Sequence, residues 1–454
     1  MEYREFLKEK EFRHVSAGFE IDDLDYPLFD YQLPIVKWAL KRGKAAIFAD
    51  TGLGKTIMQL AWADQVSLKT NSPVLILAPL AVSNQTIEEG KKYGIYVEKL
   101  NADTDCFGPG IYITNYEQLH KVKSQFKGIV VDESSILKGM DGRRRKEITA
   151  FAQNIPYRLS CTATPSPNDF MELGTQAQFL GIMSQIEMLA MFFVNDMSDT
   201  GKWRLKGHGQ KRFFEWLATW SVVIRMPSDL GFDDSNHVLP ELIYHEHIIE
   251  TDPQDSLFVE PAMGLQDRNK ARKDSVVDRV KMASEIANSI DGPVLVWCNL
   301  NDESDRLSDL ITNSMEVRGS DKPEYKEKTL IDFAHNKVKC LVTKPKIAGF
   351  GMNWQNCNNI IFVGLSDSWE SYYQAVRRCW RFGQTKTVHV HVISADTEGA
   401  VVDNIKRKDS QNIHLGKEMV KYMKTMMEKE IFSAATEKTE YNPTKTMEIP
   451  QWLK

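Results

Sequence analysis

The stretch Ala49-Asp-Thr-Gly-Leu-Gly-Lys-Thr56 sets two glycines, a lysine and two threonines between an apolar run and a helical pattern. A glycine-rich turn placed there can wrap a phosphate in backbone N–H groups, because no Cβ blocks the approach and the following helix N-terminus favours negative charge. Thr51, Gly52, Leu53 and Gly54 would form that cradle. Lys55 would reach the β- and γ-phosphates, and the Thr56 hydroxyl would ligate Mg²⁺. Alanine stands at position 49 where the strict pattern has glycine. The alternative reading is a strand-to-helix turn with a chance Gly-Lys-Thr.

A phosphate loop requires a carboxylate at the end of another strand, and Ile129-Val-Val-Asp-Glu133 supplies one. Asp132 would hold Mg²⁺ through water, and Glu133 would orient or deprotonate the attacking water. Alone, the run is also a strand ending at a solvated turn; with the loop, it points to hydrolysis of a nucleoside triphosphate. Upstream, Tyr31-Gln32 stands near the start of a helical pattern leading into the loop. A Gln amide can pair with the N6/N7 edge of adenine and a Tyr ring can stack on it. An ordinary amphipathic helix with a core tyrosine accounts for the same two residues.

Far downstream, Arg378 and Arg381 are spaced i, i+3, one face of a helix end, so that both guanidiniums would reach a γ-phosphate held elsewhere. Arginines supplied across an interface stabilise charge on the transferring phosphoryl only when the two sides close. A solvated basic helix is the competing reading. Two pairs, His245/His247 and His389/His391, share strand faces at i, i+2 but lack a third ligand, so no metal other than Mg²⁺ is expected.

Positioning these groups takes two sheets. At 454 residues the chain suits two domains, and short β-rich runs alternating with helical patterns read as parallel α/β structure. Strands are predicted at 45–49, 73–79, 110–114, 128–132 and 157–164, and again at 242–250, 293–299, 338–344, 359–364 and 387–394. The predicted division is an N-terminal segment at 1–26, a nucleotide-binding lobe at 27–177 and a Met-, Phe- and Trp-rich helical insertion at 178–225. A linker at 226–240, a second lobe at 241–426 and a polar tail at 427–454 follow.

With 57 basic against 62 acidic residues and a formal charge of −5, the chain is not a uniformly basic nucleic-acid binder, and any polyanion site is local. Six scattered cysteines without a CxxC pair favour reduced thiols. The charged start MEYREFLKEKEF and the lack of an apolar run near ~20 residues predict a soluble, cytoplasmic protein.

Several stretches, in order, carry a family resemblance: YQ (31–32), ADTGLGKT (49–56), APLAVSNQ (78–85), TNYEQL (114–119), DESS (132–135), TATPSPND (162–169), VLVWCN (294–299), IAGFGMNWQ (347–355) and QAVRRCWRFGQ (374–384). The chain resembles a superfamily-two motor ATPase of the Swi/Snf type, most like the minimal motors of bacteriophages and mobile elements. The resemblance implies two RecA-like doubly wound parallel-sheet lobes in tandem, with ATP and Mg²⁺ between them. It makes Gln32 the adenine contact, adds Gly351 to the nucleotide site, makes Arg378 and Arg381 arginine fingers, and has Thr162, Ala163 and Thr164 couple nucleotide state to the track.

That track would be double-stranded DNA, gripped by its phosphates. Candidate contacts are Asn115, Tyr116, Lys138, Arg143, Arg144, Arg145, Lys146, Lys344, Lys346, Asn353, Trp354 and Gln355, with Lys202 and Arg204 in a second basic stretch. A solvated surface is the plain alternative for each basic cluster. DESS, TATP and Lys344-Pro-Lys346 depart from the family's usual forms. The resemblance implies a monomeric translocase working in a bacterial host cell if phage-borne. A strand-separating DNA or RNA helicase, which would need a wedge element, and a nucleotide-switched scaffold are the competing readings.

Overall fold

The structure, a computed structural model, describes residues 17–100, 108–123, 125–138, 142–167, 169–195, 203–250, 275–348, 352–366, 368–396 and 399–432. The first half supplies β1 (Lys44–Ala49), β2 (Pro73–Ala78), β3 (Val97–Lys99), β4 (Gly110–Asn115), β5 (Gly128–Asp132) and β6 (Tyr157–Cys161). A small antiparallel hairpin, β7 (Phe193–Asn195) with β8 (Trp203–Leu205), precedes β9 (Ser221–Ile224). Seven of these strands form a parallel sheet in the order β3-β4-β2-β5-β6-β1-β9. Their apolar runs are nearly continuous because helices cover both faces; Ala45 through Ala49 are all buried.

The second half supplies β10 (Leu242–Ile249), β11 (Val294–Trp297), β12 (Ser314–Val317), β13 (Cys340–Thr343), β14 (Asn359–Val363) and β15 (Val388–Ala395). These form a six-stranded parallel sheet in the order β10-β15-β14-β11-β13-β12, with a separate apolar core on each face. Two parallel α/β lobes in tandem are therefore present. Among the described residues no helix is long and apolar enough to cross a membrane.

The segment expected as a helical insertion is more mixed. It holds helices Gln185–Phe192 and Gln210–Ala218, the β7–β8 hairpin, and finally β9, which pairs with β1 as an edge of the first sheet. The β-branched run Val222-Val-Ile224 favours a strand as soon as β1 offers a free edge. The helix Gly399–Phe432, 34 residues long, continues into the stretch expected as a polar tail; 433–454 lie outside the described residues. Near its start Val401 and Ile405 are buried in the second lobe, and Trp369 donates to Asp409. Further along, Met419 and Met423 are buried in the core of the first lobe and Tyr422 stacks on Phe214.

Candidate active site

The loop after β1 turns on two glycines with left-handed backbone, Gly52 at φ 89° and Gly54 at φ 68°. Both are needed as glycine: a Cβ on Gly54 would sit 2.3 Å from Gln32 Nε2, and one on Gly52 3.0 Å from Phe382 of the second lobe. The helix Lys55–Thr70 starts directly at the loop, with Lys55 and Thr56 on its first turn. Lys55 Nζ donates to the loop carbonyls of Ala49 (2.8 Å) and Asp50 (3.2 Å), which keeps the ammonium inside the turn. Burial pushes its pKa down, opposed by the carboxylates of Glu133, Asp50 and Asp132.

Asp132 ends β5, so the alternation of a buried strand delivers its carboxylate to the rim of the sheet beside the loop. Gln59, one turn further along the loop helix, donates to Asp132 Oδ1 at 2.7 Å, and the Tyr116 hydroxyl donates to its backbone carbonyl. Burial, reinforced by the neighbouring Glu133 charge, raises the Asp132 carboxyl to about 6. Glu133 follows at φ 50°, a left-handed conformation that costs a non-glycine residue on the order of 1 kcal/mol and turns its side chain back toward the cleft. Thr162, past the end of β6, donates to Glu133 Oε2 at 3.4 Å.

The second lobe brings its arginines to the same place. The helix Trp369–Val376 stops before them, so Arg378 and Arg381 sit in the turns that follow it, not on a helix face as their spacing suggested. Arg378 is held by Gln374 and the Met352 carbonyl. Burial lowers its pKa, and Glu133 and Asp132 are among the charges that oppose the shift. Arg381 is pushed down to about 10 by burial and then by Arg378, against the pull of Glu89 and Glu133. Its Nε is buried without a hydrogen-bond partner among the described residues. Three cations from two lobes thus act on Glu133, and a buried donor with no partner among the described residues fits the polyanionic end of a nucleotide.

Several members of the site escaped the sequence reading. Asp50, inside the loop, accepts from the Tyr373 hydroxyl and pairs with Arg377 at 3.1 Å, both from the second lobe. Burial alone would push its carboxyl up; Arg377, Tyr373, the Thr51 N–H and Lys55 together hold it below its ordinary value. Glu370, also from the second lobe, accepts from Thr164 at 3.2 Å and pairs with Lys138. Ala163 lies between the two threonines that make these links. Gln32 is fully buried: its amide donates to Leu53 O at 2.9 Å and its oxygen accepts from Phe29 N, so both ends brace the loop. Tyr31 donates to the same Leu53 carbonyl. The exposed ring beside them is Phe29, grouped with His237 and Phe382.

Two expected track contacts are corrected. Trp354 is wholly buried against Trp297 and Phe333 and donates to the Leu330 carbonyl, so it is a core side chain. Tyr116 is buried beneath the carboxylate strand. Asn115 caps the following turn by accepting from Gln118 N, and Gln355 donates to the Phe382 carbonyl. Asn353 is half-buried, and its side-chain oxygen has no partner among the described residues. Lys344 donates to Asn301, while Lys346, Arg143 and Arg204 are exposed. Arg144 pairs with Glu117, and Arg145 donates to Gln178 and Gln185. Lys202 and Gly351 lie outside the described residues. The histidine pairs bond to each other across β10 and β15, His245 with His389 at 3.0 Å and His247 with His391 at 3.1 Å. Among the described residues no group of three or more potential ligands could hold a metal ion.

Two family models fall on this layout. The SNF2-related domain family matches residues 31–198, and the helicase conserved C-terminal domain family matches residues 278–383. Putative protein p41 of Acyrthosiphon pisum secondary endosymbiont phage 1 is 24% identical, over 84% of this chain and 95% of its own. The zebrafish (Danio rerio) chromodomain-helicase-DNA-binding protein 1-like is 25% identical over 81% of this chain, which spans only 42% of that relative's length. Among solved structures, the Sulfolobus solfataricus SWI2/SNF2 ATPase core in complex with dsDNA aligns with a TM-score of 0.42 and 17% identity, covering 92% of this chain and 99% of that one. The two family matches fall on the two lobes in order and together take in more than half of the residues, and the chain belongs to the SNF2-related ATPases with a helicase C-terminal domain.

Proposed function

We propose that the protein hydrolyses ATP in the cleft between its lobes and uses the cycle to move along double-stranded DNA without separating the strands. The observation that carries the hydrolytic part is the meeting of Lys55, Asp132 and Glu133 of the first lobe with Arg378 and Arg381 of the second. Lys55 and the N–H groups of the loop bind the phosphates. Glu133, held by Thr162, orients the attacking water and takes its proton. Arg378 and Arg381 stabilise charge developing on the transferred phosphoryl, and do so only while the lobes are closed. Thr56 and Asp132 would hold Mg²⁺, which neutralises charge on the phosphate oxygens.

The duplex part rests on family membership, on the zebrafish relative whose name records DNA binding, and on the exposed basic residues Arg143, Arg204 and Lys346. Phosphate contacts carry no base information, so stimulation of the ATPase should be indifferent to sequence and fall steeply with salt. Two assays on one preparation test this reading: displacement of a triplex-forming third strand from intact duplex, and unwinding of a forked duplex. Third-strand displacement without fork unwinding is expected. Efficient fork unwinding, or stimulation by RNA but not by duplex DNA, moves the protein to the strand-separating class.

A further inference from the structure

At the opposite ends of the strands of the first sheet lies a concavity that the nucleotide chemistry does not use. Lys44 opens β1 and Arg158 stands beside it in register on β6, whereas the phosphate loop follows the far end of β1. With about 3.3 Å per strand residue, the two places are some 15–20 Å apart. Lys44, Arg158, Arg145 and Lys146 line a pocket of ≈ 600 Å³, and no carboxylate is among its lining residues.

We propose that this pocket is a phosphate-binding site separate from the nucleotide site. Its floor is a buried arginine that has no carboxylate partner among the described residues: there Arg158 donates to the backbone carbonyls of Ile155, Phe179 and Gln153. The three bonds fix the guanidinium in place, as an anion site requires, and leave its full positive charge facing the cavity. The side-chain ammonium groups of Lys44 and Lys146 have no hydrogen-bond or ion-pair partner among the described residues, and burial with the adjacent Arg158 charge presses the Lys44 pKa down. The like charges of Lys44, Lys146 and Arg158 become favourable neighbours once an anion binds between them.

Gly181 keeps the entrance open. Its φ is 70°, and a Cβ there would lie 3.1 Å from Arg158 Nη1 and 3.6 Å from Lys44 Nζ, over the two innermost cations. The basic run Arg143-Arg-Arg-Lys146 is divided accordingly. Arg144 is tied to Glu117 on the surface, while Arg145 and Lys146 face the pocket. The ligand chemistry is a phosphate dianion or a phosphodiester, from a free anion or from a nucleic-acid backbone.

Thermal unfolding of the full chain, with the nucleotide site saturated by a non-hydrolysable ATP analogue, tests the site. Inorganic phosphate is titrated at constant ionic strength against chloride. The wild type should gain about 2 °C by the time phosphate reaches ten times its dissociation constant. Lys44→Gln/Lys146→Gln, and Lys146→Gln alone as the milder variant, should lose most of that gain. Arg143→Gln/Arg144→Gln, with the same charge removed outside the pocket, should keep it. No gain over chloride in the wild type, or an equal loss in both double variants, overturns the proposal. A 12-base-pair duplex titrated across salt then identifies the source. A salt slope reduced by about two in Lys44→Gln/Lys146→Gln assigns a backbone phosphate, and an unchanged slope assigns a free anion.

Discussion

The Thr164 hydroxyl donates to Glu370 Oε1 at 3.2 Å across the cleft, while Lys138 of the first lobe pairs with the other oxygen of the same carboxylate. Thr164 N in turn donates to Thr162 Oγ1, which donates to Glu133. A short chain of hydrogen bonds thus runs from the proposed water-orienting carboxylate into the second lobe. Thr164→Val keeps the shape and drops the hydroxyl. A hydrogen bond to a charged group is worth about 1.5–3 kcal/mol, so the DNA-stimulated rate should fall at least tenfold with nucleotide affinity little changed. Steady-state ATPase with and without duplex, beside a nucleotide-binding titration, decides it; an unaltered stimulated rate removes Thr164 from the coupling.

Lys55→Ala and Glu133→Gln should both abolish turnover and yet differ in binding. The first removes a charge that holds the phosphates, whereas the second leaves the cradle intact and removes only activation of water. Equilibrium binding of ATP should be weakened in Lys55→Ala and near wild type in Glu133→Gln. Normal turnover in either one contradicts the site.

Arg378→Ala and Arg381→Ala should each lower kcat, by up to ~10³-fold, while nucleotide binding to the first lobe holds. Because Arg381 Nε has no hydrogen-bond partner among the described residues, its loss should disturb the resting structure least. A rate change below about threefold would place the pair outside the reaction.

Asp132 provides a pH test. Its carboxyl is raised to about 6 by burial and then by Glu133, so in the metal-free protein ionising it costs stability. That group's contribution is fully present below the unfolded pKa of about 4 and is lost as pH rises through about 6. Mg²⁺ needs the ionised form, so Mg²⁺-dependent nucleotide binding should weaken as pH falls through about 6. Glu133→Gln removes the second cause and should move the midpoint down. Fluorescent-nucleotide titrations between pH 5 and about 8 would show it; a midpoint unmoved by Glu133→Gln refutes the assigned cause.

Met423→Ala tests the docking of the C-terminal helix on the first lobe. The side chain is wholly buried, and truncating such a methionine costs about 2–5 kcal/mol. A clear fall in the urea midpoint for the first lobe is expected, with no change in the second. An unchanged midpoint would mean that the helix is not seated there in solution.

The phosphate loop and the Ile129–Glu133 strand were legible because each is a local pattern, an apolar run delivering one polar cluster to a turn. β3 and β12 were not, since edge strands this short need no apolar run; Val97-Glu-Lys99 and Ser314-Met-Glu-Val317 carry polar residues, while the apolar run of β9 was absorbed into the helical pattern read on either side of it. Trp354 shows the reverse failure. Its place in a family-like stretch suggested a nucleic-acid contact, but order along a chain says nothing of which way a side chain packs. Asp50, Glu370, Tyr373 and Arg377 were invisible for a third reason. Their partners lie more than two hundred residues away and exist only because the lobes dock.

The helix Gly399–Phe432 gives the two lobes a second covalent crossing, beside the one through residues 226–240. Bodies joined at one point can swing about any axis, whereas bodies joined at two can turn freely only about the line through both, as a door turns on its pins. Arg225 lies across this helix at Gly416, where a side chain would stand 3.1 Å from it, and donates to the Ile413 carbonyl. One pin is thereby fastened next to the other. Opening of the cleft would then reduce to a single angle, with Glu133 and Arg381 parting along one arc.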